Sequence, residues 1–131
     1  MNPVDLIGRG YRLGADFITR PEGDCLALVR HVVSEHGIVL PEARRDWYRR
    51  LRRGDWSVYF EELDRWGEQI EFPKLGAIAV CKGPNGYGMA GYWSGGWLSF
   101  QETEVAWKPV EGLDVCAIYC QQNDSSVSLL D

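Results

Sequence analysis

The apolar pattern of this chain changes once, near Pro73, and that change limits the folds open to it. Ahead of Pro73, apolar residues recur at helical spacing. Behind it, short β-branched and aromatic runs are punctuated by glycine. The clearest helix starts at Asp24, a side chain suited to capping, and runs with Cys25, Leu28, Val29, Val32 and Val33 on one face until Gly37 stops it. Two further helices are predicted over 42–51 and 57–66, broken at Gly54-Asp55. Strands are predicted over 77–82, 87–94, 97–101, 105–108 and 113–121, with a hairpin turning between Trp93 and Trp97. Residues 5–23 read as an irregular, glycine-rich lead-in, with a short helical turn near Pro3. Helices first and strands second predict an α+β fold, in which N-terminal helices pack on a C-terminal antiparallel sheet of about five strands.

With 131 residues, 45% hydrophobic and 25% charged, the chain can bury one core. A single domain over 1–122 and a peripheral tail over 123–131 are expected. The net charge of -5 argues against a nucleic-acid binder. No apolar run approaches the roughly 20 residues of a membrane span, and no signal peptide is legible at the start, so synthesis in a cytoplasm is expected. Of the four cysteines, Cys81, Cys116 and Cys120 read as free thiols acting as small hydrophobic strand residues. Cys116 and Cys120 would stand roughly 13 Å apart on a strand, too far for one metal ion, so neither a metal nor any other cofactor is expected.

Cys25 is the candidate for chemistry. A thiol in the first turn of a helix meets the positive end of the dipole and unpaired N–H groups, which favour the thiolate. A cysteine nucleophile also needs a separately held base. The chain has two histidines, His31 and His36, both on the helix that Cys25 opens. His31 is about 9 Å along the axis and some 240° around it, so neither is placed to serve. The bland reading of Cys25 is a small residue on its helix's core face.

Tyr11-Arg12-Leu13-Gly14, Gly23-Asp24-Cys25-Leu26-Ala27-Leu28-Val29-Arg30 and Gly37-Ile38-Val39-Leu40-Pro41 together resemble the opening of NlpC-type cell-wall cysteine peptidases, especially those encoded in phage tail operons. Leu75-Gly76-Ala77-Ile78-Ala79-Val80 and the run from Asn85 to Trp93 resemble that family's next two strands. The resemblance spans roughly residues 8–120 and implies a papain-like fold. It also implies Cys25 as the nucleophile position, Asp24 as its neighbour and Tyr11 as a lining residue. The family's basic histidine then falls on Met89, give or take one residue, and neither Gly88 nor Ala90 can act as a base. The third polar position falls near Ser99. Losing the base removes about 10²- to 10⁴-fold of general acid–base catalysis, so the resemblance implies a degenerate site.

Arg44, Arg45, Arg49, Arg50, Arg52 and Arg53 form the densest charge feature, followed by acidic residues from Glu61 onward. They read either as a solvated face with mutual ion pairs or as a docking face for an acidic partner. Trp93 and Trp97, flanking the hairpin, are candidates for partner contact among six tryptophans.

The leading expectation is a structural component of a phage or phage-like tail tip or baseplate hub, assembled in the host cytoplasm and bound to other hub proteins. An active peptidoglycan amidohydrolase working through Cys25 is the alternative. A stand-alone inhibitor-like binding module is the third.

Overall fold

The structure, a computed structural model, describes residues 2–42 and 46–121. The expectations for Arg44, Arg45 and the tail at 123–131 lie outside the described residues.

Among the described residues three α-helices precede the sheet: α1 (Cys25–Ser34), α2 (Trp47–Arg52) and α3 (Ser57–Trp66). Asp24 opens α1. Its Oδ1 accepts the Ala27 N–H at 2.9 Å and its Oδ2 accepts the Gly14 N–H at 2.9 Å, so one carboxylate caps the helix and anchors the lead-in. Gly37, at φ +72°, turns the chain away after the helix, as its sequence position predicts. α3 has the expected bounds, whereas described α2 begins at Trp47 and leaves Glu42 outside the helix. The lead-in holds the 3₁₀ turn Pro3–Leu6, capped by the Asn2 side chain.

Among the described residues six strands form one antiparallel sheet, one more than expected: β1 (Gly67–Ile70), β2 (Ile78–Gly83), β3 (Gly86–Trp93), β4 (Gly96–Gln101), β5 (Glu104–Pro109) and β6 (Asp114–Gln121). Their order is β1-β6-β2-β3-β4-β5. The added strand, Gly-Glu-Gln-Ile, has little β propensity of its own. Pairing with β6 makes it a strand, and Gly67 permits that approach, since a Cβ there would lie 2.1 Å from the Cys120 carbonyl oxygen.

Side chains are buried on both faces. Leu26, Val29 and Val33 of α1 pack with Trp47, Val58 and Leu63 against Ile78, Val80 and Met89 on one face. Ala77, Ala79, Ala90 and Ile118 surround Trp97 on the other. Cys120 is buried, whereas Cys116, on β6 as expected, is exposed and so does not pack as a small hydrophobic residue there.

Two features of β3 place the site. At Gly91 a Cβ would lie 2.8 Å from Val32, so the glycine lets α1 sit directly on the strand. From Val32 back to Cys25 is about 10 Å of helix, and from Gly91 back to Gly88 is about 10 Å of strand, which brings the helix start level with Gly88. Second, β3 and β4 pair tightly around the Ser94-Gly95 turn, where φ is +54° and +76°, but the pairing ends at Gly91–Leu98. Below that level the strands part and leave a gap at the start of α1.

Candidate functional site

A cleft of about 450 Å³ fills this gap. Cys25, Tyr11 and Tyr59 line it, with the Gly86–Met89 end of β3 on one side and Ser99, Phe100 and Gln101 of β4 on the other. Cys81 and Lys82 of β2 also reach it. Cys25, Tyr11, Met89 and Ser99, scattered in sequence, thus share one cavity.

The sulfur of Cys25 lies against the main chain of β3. A Cβ built at Gly88 would stand 3.5 Å from Sγ, an ordinary van der Waals distance. The Met89 N–H, with no β4 partner at this level, donates to the sulfur, as does the Tyr59 hydroxyl. The Met89 side chain is instead buried in the core beside α1. The position facing the thiol is therefore Gly88, not Met89, because the sulfur enters beside the strand rather than over its core face. Gly88 carries nothing that could move a proton.

Burial also overrides the expected dipole effect. Burial first, with the charge of Asp24 behind it, pushes the Cys25 thiol up to about 11 despite the hydrogen bonds from Met89 and Tyr59. The capping carboxylate that starts the helix thus opposes ionisation of the thiol beside it. Asp24 itself is raised by burial, which outweighs the bonds from Ala27, Gly14 and the Tyr48 hydroxyl. Tyr11 is pushed up to about 12 by burial, then by the charges of Cys25 and Asp24, and its ring meets Phe100 edge-on at 5.2 Å. Tyr59 is raised as well, mainly by burial. With the thiol at about 11, only about one molecule in ten thousand carries a thiolate at pH 7.

Neither imidazole is near. His31 Nε2–H donates to the Asp16 carbonyl at 3.1 Å and its ring packs edge-on against Phe17, while His36 lies in the turn beyond α1. Ser99 is buried, and its Oγ accepts from Gln101 Nε2 at 2.7 Å. The carboxylates that reach the cleft, Glu102 and Asp114, are exposed. Among the described residues, no group of three His, Cys, Asp or Glu side chains could hold a metal ion.

No family model, curated protein or solved structure matches this chain.

Tyr59 and Cys81 were not singled out for this site from the sequence. No local signal marks them, since Tyr59 reads as one more apolar position of α3 and Cys81 as one more strand residue.

The arginine feature divides. Arg50, half-buried at the surface, is tied up within the chain, its Nε 2.8 Å from Asp55 Oδ2 and its two terminal nitrogens 3.0 and 2.6 Å from the Glu61 carboxylate. Ser57 joins the same network. Arg49, Arg52 and Arg53 are exposed. The hairpin tryptophans also differ from expectation. Trp97 is fully buried, edge-on to Tyr92 at 5.4 Å, which leaves it no surface for a partner. Trp93 is half-buried, and its carbonyl accepts the Trp107 indole N–H at 3.0 Å. Trp107, at 40% exposure, offers the larger aromatic surface. No described helix is long and apolar enough to cross a membrane.

Proposed function

We propose that this chain is a binding subunit without hydrolytic activity, resembling an NlpC-type peptidase whose frame serves in a phage or phage-like tail tip or baseplate hub. The observation that carries the reading is the pairing of Cys25 with Gly88: the thiol stands at the helix start, as a nucleophile would, and faces a glycine. Its high pKa adds to this, because a thiol that is protonated at neutral pH and lacks an adjacent base is a poor nucleophile. Cys25 acts here as a packing residue that the Met89 N–H and Tyr59 hydroxyl hold in place. The partners of the subunit are other hub proteins. Arg49, Arg52 and Arg53 suit an acidic surface, each guanidinium offering a fork to a carboxylate.

The test is incubation of purified peptidoglycan, and separately of a short wall peptide, with wild type and Cys25→Ala at equal concentration. The expected result is no release of peptide by either protein. Release by wild type that Cys25→Ala abolishes would replace this reading with that of a working amidohydrolase.

A further inference from the structure

Cys81 and Cys116 stand on neighbouring antiparallel strands, β2 and β6. Their register pairs Val80 with Ala117 and then Cys81 with Val115, which leaves Cys116 as an inserted residue between two paired ones. Such a bulge sets two residues of one strand against one of the other. Cys116 therefore lies one cross-strand step from Cys81, a Cα separation of about 5 Å. A disulfide accepts roughly 4.4–6.8 Å, so no strand has to move far.

The two thiols differ in access. Cys116 is exposed, while Cys81 is half-buried and lines the Cys25 cleft. Burial pushes Cys81 up to about 12, with the charge of Cys116 the next largest cause and that of Cys25 smaller. A reagent thus meets Cys116 first, and Cys81 is its nearest thiol neighbour. Cys25 is the competing partner, since it lies against Gly88 and Gly88 pairs with Cys81 across β2 and β3. Cys25 is only half-exposed, so it meets a reagent from solvent more slowly than the exposed Cys116.

We propose that Cys81 and Cys116 form a redox-active pair, which a low-molecular-weight disulfide converts into an intramolecular disulfide. The Cys116 thiolate attacks one sulfur of the reagent, the reagent's S–S bond breaks, and its first thiol leaves after taking a proton from water. The Cys81 sulfur then gives up its proton to water and attacks Cys116 Sγ. The mixed disulfide breaks and the second thiol leaves. The protein loses two hydrogens, and the reagent departs as two thiols. The product ties β2 to β6 beside the cleft and takes the Cys81 thiol out of its lining.

The experiment treats the full chain with oxidised glutathione, blocks remaining thiols with iodoacetamide and maps the cysteines by mass spectrometry without reduction. One cross-linked peptide pair, joining the segments that hold Cys81 and Cys116, is expected, and dithiothreitol should release it. In Cys81→Ser the reaction should stop with one glutathione on Cys116. In Cys116→Ser the Cys81 thiol should remain open to alkylation. A Cys25–Cys81 cross-link in wild type would overturn the proposal. So would glutathione on Cys116 beside a free Cys81, or an unmodified Cys116 in the Cys81→Ser protein.

Discussion

Replacing Gly88 by histidine should waken Cys25. The backbone at Gly88 does not occupy the left-handed region, and a Cβ there fits at 3.5 Å from Sγ, so the side chain can enter the cleft of about 450 Å³. An imidazole on that Cβ brings a ring nitrogen within hydrogen-bond reach of the sulfur. An opposite charge at such range lowers a pKa by about 1–3 units. From a starting value of about 11, a fall of about three units raises the thiolate fraction at pH 7 about a thousandfold. Intrinsic nucleophilicity falls with pKa at a slope of about 0.4–0.5, so the net gain is about 30- to 60-fold in alkylation rate, and about threefold for a one-unit fall. The assay is the pseudo-first-order rate of iodoacetamide labelling at Cys25, followed by peptide mass across a pH series. The rate-against-pH curve should also move to lower pH. Gly88→Ala is the control, and it should fold and label at the wild-type rate. A folded Gly88→His protein with an unchanged rate would refute the placement of position 88 opposite the thiol.

Three further outcomes follow from the residues that hold the site. Asp24→Ala removes the α1 cap and should cost about 1–2 kcal/mol in denaturant melts. Burial raises the Asp24 carboxyl, so the folded state holds that proton more tightly than the unfolded chain, and this group's contribution is greatest at acid pH and is lost as pH rises through the raised value. Asp24→Asn should remove that slope. The difference between the two stability profiles isolates it from Asp16, Asp55 and Glu61, whose lowered values tilt stability the other way. A mutant profile parallel to wild type would contradict this assignment. Gly23→Ala should lower the melting temperature by several degrees, since its Cβ would stand 2.2 Å from the Phe17 ring and overpacking costs about 1–3 kcal/mol. A calorimetric scan in which Gly23→Ala melts with Gly88→Ala, where the added Cβ has room, would show that Phe17 yields freely.

Local chemistry explains which elements could be read in advance. The α1 cap, the α3 span and the Ser94-Gly95 turn each depend on residues within a few positions of one another, and each stands where the sequence places it. β1 was illegible because its strand character comes from β6, distant in sequence, and from a glycine whose need appears only where two backbones meet. Trp97 and Trp93 look alike on either side of one turn. One is fully buried and the other half-buried, because alternation along a strand tells which residues share a face but not which face is covered. Arg50 and Arg49 are neighbours in a run of like charge. Arg50 reaches Asp55 in the turn that follows its helix, and the position of α3 adds Glu61.

The candidate site shows the same division. The sequence by itself put a cysteine directly after a capping aspartate at a helix start, flanked that helix with glycines and located both histidines away from its first turn. Those properties rest on neighbours along the chain. Tertiary structure alone decided that β4 leaves β3 below Gly91, that the freed Met89 N–H turns to the sulfur, and that Gly88 faces it. It also decided the state of the thiol, because a helix dipole acts from nearby backbone, whereas the desolvation that outweighs it is the sum of every element packed around the sulfur.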